Sequence, residues 1–85
     1  MNNIHAVISA EKMTIANTGQ VVEFAENNDL EVIGVGNIFG MMQIFVQGNA
    51  TDISKIVPFV HGINGGNYCE AELIGEEEIE DRLYG

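Results

Sequence analysis

The chain has 85 residues, 46% of them hydrophobic, which suffices for one domain and its core but lies near the lower size limit for a fold without staples. Thirteen acids against three bases (Lys12, Lys55, Arg82) give a formal net charge of −10, which excludes the cationic footprint needed to hold a nucleic-acid backbone or an anionic membrane surface. A single cysteine excludes an internal disulfide, and no apolar run approaches the length of a membrane span.

Residues 4–10, IHAVISA, set Ile4, Ala6 and Ile8 against His5, Val7 and Ser9, the two-residue period of a strand. Thr18 is placed to cap a helix over about 18–28, with Val21, Phe24, Ala25 and Asn28 on one face and Asn27-Asn28-Asp29 as its stop. Residues 31–36 are strand-like. From Met41 onward Met42, Ile44 and Val46 alternate with Met41, Gln43, Phe45 and Gln47, a further strand. Gly48-Asn49 turns the chain, and Thr51 or a neighbour caps a second helix carrying Ile53, Ile56, Val57 and Val60 at helical spacing. Pro58 has no backbone N–H to give, so a kink or a late helix start is expected there; Gly62, Gly65 and Gly66 end the element. Residues 67–74 set Cys69, Ala71 and Leu73 against Tyr68, Glu70, Glu72 and Ile74, a fourth strand.

The order is β-α-β-β-α-β within residues 1–75, followed over 76–85 by an acidic tail or short helix. Over residues 4–74 it resembles the ferredoxin-like fold, an α+β architecture with a four-stranded antiparallel sheet and two helices on one face. The N-terminus, MNNIHAVISAEKM, lacks a basic segment followed by a long apolar stretch, so no signal peptide is expected and the cytoplasm is the expected location.

The stretch EVIGVGNIFGMMQIFVQG (31–48) invites comparison with a phosphate-binding loop. Gly34, Gly36 and Gly40 give G-x-G-x-x-x-G, one residue longer than the dinucleotide fingerprint, and a strand rather than a helix follows Gly40. A hairpin accounts for the same residues, with Gly36-Asn37 and Gly40 suited to positive φ in a turn. Cys69 and His5 fall on opposite faces of the expected sheet and His61 at a helix end, so no thiolate–imidazole pair is expected. No His or Cys spacing fits zinc, and the acid run Glu76, Glu77, Glu78, Glu80, Asp81 lacks the glycine and alternating oxygen ligands of a calcium loop. The reading is therefore of a protein that is not an enzyme and uses no metal or cofactor.

What remains is surface. The acid run, together with Glu70 and Glu72, could imitate a row of phosphates, with Ile79, Leu83 and Tyr84 as an apolar anchor. The sheet face away from the helices is expected to carry His5, Val7, Met41, Gln43, Phe45 and Tyr68, with Ile33 and Val35 beside them. Such a half-apolar face suits a protein partner, including a second copy in a homodimer, rather than RNA. The expected function is a non-catalytic acidic module that binds a basic protein surface. One concrete form is a phage or mobile-element inhibitor that blocks the nucleic-acid site of a host protein, similar in size and charge to anti-CRISPR and anti-restriction proteins. Two other resemblances carry alternatives. The topology resembles ACT-type domains, whose ligand would lie by the Ala10–Gly19 loop with Lys12 and Thr14. The 31–48 stretch is similar to the central hairpin of self-assembling microcompartment shell domains.

Overall fold

The computed structural model describes residues 4–75 and Glu77. Its strands are β1 (Ile4–Ala10), β2 (Glu31–Ile38), β3 (Met41–Gly48) and β4 (Cys69–Ile74), and its helices are α1 (Ile15–Asn27), α2 (Ala50–Ser54) and α3 (Ile56–Ile63). The strands form one sheet in the order β2-β3-β1-β4, every pairing antiparallel. Apart from Glu77, the expected tail or helix over 76–85 lies outside the described residues. Among the described residues, no helix is long and apolar enough to cross a membrane.

Helix α1 starts a turn earlier than the sequence suggests. Thr14, in extended conformation, is its cap: its Oγ1 accepts from the Asn17 N–H at 3.0 Å. The Thr18 hydroxyl is turned back instead, donating to the Thr14 carbonyl at 2.9 Å, and Gly19 is absorbed into the helix. The second helical segment is capped by Asn49, whose Oδ1 accepts from the Asp52 N–H at 2.8 Å. It breaks at Lys55, where α2 ends and α3 begins. Pro58 gives the reason: it has no N–H to offer the Ser54 carbonyl, and its ring crowds that oxygen, so the helix restarts with the proline in its first turn.

Both helical segments pack on one sheet face. Ala6, Ile8 and Ala10 of β1 and Met42, Ile44 and Val46 of β3 meet Val21 and Ala25 of α1 and Ile53, Ile56 and Val60 of α2 and α3. The Phe24 and Phe59 rings stack at 4.1 Å between centroids and tie α1 to α3. On the opposite face Val7, Phe45 and Ile74 form a second, smaller cluster with Ile33 alongside.

A bulge between Val32 and Gly34 changes the parity of β2. Ile33 keeps the face away from the helices, but Gly34 then takes the place opposite Phe45, and Val35 is moved to the helix side, opposite Ile44. The strict alternation expected for Ile33 and Val35 therefore fails at this one residue. The turn between β2 and β3 also differs in detail. Gly36 and Asn37 belong to the strand, and the two residues with positive φ are Phe39 (53°) and Gly40 (79°). The Asn37 side chain caps the turn by accepting from the Gly40 N–H at 3.1 Å.

Two glycines should respond in opposite directions to alanine. A Cβ on Gly19 meets no other atom, so Gly19→Ala should stabilise the fold by about 0.5–1 kcal/mol through the helix preference for alanine. A Cβ on Gly48 would run into the buried Leu30 side chain, and Gly48→Ala should destabilise by about 1–3 kcal/mol. Urea unfolding of both variants beside the parent checks the pair.

Candidate functional site

The residues expected on the open sheet face are divided by the structure. Val7 and Phe45 are only 1% and 2% exposed and offer no accessible surface to a partner. His5 and Met41 are partly buried, whereas Tyr68 is exposed. The side chains that do stand out on this side are those of β4. Glu70 and Glu72 lie opposite Ser9 and Val7 in register and are both exposed. Glu77 is exposed as well, and Glu76, Glu78, Glu80 and Asp81 lie outside the described residues.

The Glu70 carboxylate is tied to a network that begins at a residue with no obvious functional signature. Asn64, just past α3, is buried, and its Nδ2 donates to the carbonyls of Glu11 (3.1 Å), Asn67 (3.3 Å) and Tyr68 (3.4 Å). Asn67 answers by donating from its own Nδ2 to the Asn64 carbonyl at 2.6 Å. The Glu11 N–H donates to the Tyr68 carbonyl at 3.0 Å, so the loops on either side of β1 and β4 are bound together. Tyr68 in turn donates its hydroxyl to the Glu70 carboxylate. That hydrogen bond, chiefly, holds the Tyr68 phenol above its ordinary pKa; desolvation and the charges of Glu70, Cys69 and Glu11 add to it. The result is an acidic ridge of Glu11, Glu70 and Glu72 with an aromatic among them. The Asn64-Gly65-Gly66-Asn67 run was the signal available in the sequence: positive φ at both glycines brings the two asparagines together.

A second accessible surface lies along the β2 edge of the sheet, on the helix side. Ile15 at the start of α1 is 94% exposed, and Val35 is 48% exposed across a groove of about 300 Å³ floored by Met13 and Met42. Ile38 is also exposed, and Phe39, at the hairpin tip, is fully so. A bulky side chain in the left-handed region normally costs about 1–2 kcal/mol, and Phe39 makes no burial in return.

The remaining candidates stay apart. Cys69 lies on the helix side of β4 and packs against the main core, His5 lies on the other face, and His61 is in the last turn of α3. Burial pushes the Cys69 thiol up to about 11. Among the described residues, no group of three or more His, Cys, Asp or Glu is placed to hold a metal ion. Gly34 and Gly36 are strand residues, and β3 follows Gly40 directly, so the run does not lead into a helix. In the β1–α1 connection Thr14 is committed to capping and Gly19 is helical, which leaves Glu11 and Lys12, the latter at φ 58°, as the charged residues of a short tight loop. Compared with known proteins, the chain matches no family model and no curated sequence.

Two outcomes test this description. At pH 7 the Cys69 thiol should hold about a hundredfold less thiolate than an ordinary cysteine of pKa 9.0, so urea unfolding should raise its alkylation rate by about that factor. Phe39→Asn should relieve the turn and raise stability by about 1 kcal/mol in chemical denaturation.

Proposed function

We propose that the chain is a non-catalytic, acidic protein-interaction module on a ferredoxin-like frame. The strand order β2-β3-β1-β4, with both helical segments on one face, supports that reading of the frame. The observation that carries the function is the ridge formed by Glu11, Glu70 and Glu72 at the β4 edge, where Asn64 bonds the Glu11 and Tyr68 carbonyls and Tyr68 bonds Glu70, in a chain of net charge −10. The described cations are Lys12 and Lys55, and Lys55 is engaged with Asp52 at 3.0 Å. The field is therefore negative over this edge, and it favours a partner with a cationic surface.

A groove built to hold nucleic acid is such a surface. In its most concrete form the module is a cytoplasmic inhibitor, of the anti-CRISPR or anti-restriction kind, that occupies the nucleic-acid site of a host protein. Carboxylates replace phosphates in this arrangement, and Tyr68 supplies an apolar and hydrogen-bonding contact beside them.

Pull-down from a host lysate at low salt, with identification by mass spectrometry, should recover a basic, nucleic-acid-handling protein. Its affinity should fall as salt rises, and the double variant Glu70→Gln, Glu72→Gln should weaken it by about three- to tenfold, mainly through slower association. A partner whose binding is indifferent both to salt and to this variant would sink the proposal.

A further inference from the structure

Beyond Glu31, the hairpin of β2 and β3 is where this acidic chain carries no charge. From Val32 to Thr51 there is no Asp, Glu, Lys or Arg, although these types make up 19% of the sequence. Strand β3 is paired on both sides, but β2 ends the sheet, and its outer edge presents backbone N–H and C=O groups to solvent. Proteins guard such edges with charged side chains, proline, short strands or bulges. The opposite edge, β4, has Glu70 and Glu72. On β2 the guard is the bulge at Val32 to Gly34, and beyond it Val35–Ile38 runs in regular register up to the turn. That stretch is flanked by exposed apolar side chains: Ile15 and Val35 on the helix side, Ile38 on the other, Phe39 at the tip.

We propose that the outer edge of β2 pairs with the same edge of a second copy, antiparallel about a two-fold axis, to make one continuous sheet across both chains. Charge selects this occupant. Two copies at −10 repel each other wherever their carboxylates meet, and least along an edge that has none. A basic partner, by contrast, finds no carboxylate between Val32 and Thr51 to pair with. The sequence is also compatible with itself. Pairing centred on Gly36 sets Val35 opposite Asn37 on the helix side and Gly34 opposite Ile38 on the other, and leaves Glu31 outside the paired stretch. Ile15 of each copy then stands beside the junction, where its exposed side chain gains cover. The pairing uses the edge that the acidic ridge leaves unoccupied, so the two proposals stand or fall separately.

Sedimentation velocity of the full chain over a dilution series tests this. The expected result is a species of twice the 9.2 kDa chain mass whose association tightens as salt rises from about 0.05 M to about 0.5 M, the opposite of the trend for a basic partner. Val35→Lys and Ile38→Lys should each weaken dimerisation at least about tenfold, while Leu73→Lys on β4 leaves it in place. Hydrogen exchange reads the unsubstituted protein: the amides of Val35–Ile38 should exchange more slowly at high protein concentration than at low. A monomer at every salt and concentration overturns the proposal. So does a dimer that survives both β2 lysines, one lost equally on Leu73→Lys, or one whose Val35–Ile38 amides exchange independently of concentration.

Discussion

The register of β1 against β3, from Ile4 opposite Gly48 to Ala10 opposite Met42, is the constraint on which the rest of this fold depends. It lines up Ala6, Ile8 and Ala10 with Val46, Ile44 and Met42 on one face, and that face is the floor on which both helical segments sit. A slip of β1 by one residue would turn Val7 and Ser9 toward the helices and take Ala6, Ile8 and Ala10 to the other face. The two alanines matter as much as the large residues. They keep β1 low, so that Val21, Ala25, Ile56 and Val60 can approach the sheet without a gap. Edge strands β2 and β4 then inherit their orientation from the central pair.

Much of this was legible in the chain because half-buried strands advertise their period. The alternation in IHAVISA, in residues 41–47 and in residues 68–74 assigns each side chain to the face it occupies, and the orientation of Glu70, Glu72 and Tyr68 follows from it. Where reading failed, the cause was local competition. Thr14 and Thr18 are both good caps one helical turn apart, and only the backbone conformation at Thr14 decides between them. The bulge has no marker other than a glycine in a strand, so Val35 was assigned to the wrong face. Asn37 is the natural residue for a left-handed turn position, yet it caps the turn from the strand while Phe39 takes the strained place. The seclusion of Val7 and Phe45 was beyond periodicity altogether, because alternation gives a side chain's face but not what covers it.

The two edges of the sheet differ in chemistry as sharply as its two faces. At β4 the side chains are acidic, and a polar network rooted in Asn64 holds the preceding loop in place. At β2 the strand is uncharged beyond Glu31 and the neighbouring side chains are apolar. The carboxylates of β4 and the uncharged stretch of β2 thus lie on opposite edges of the sheet.

The place of β4 beside β1 has a consequence for how the chain comes into being. During synthesis the first strand leaves the ribosome early and finds β3 once the hairpin has formed, a pairing helped by the two-residue turn at Phe39-Gly40. Its other side stays bare until the last strand of the described fold arrives. Arrival of β4 beside β1, rather than the collapse of the helices, is then the step that completes the described sheet.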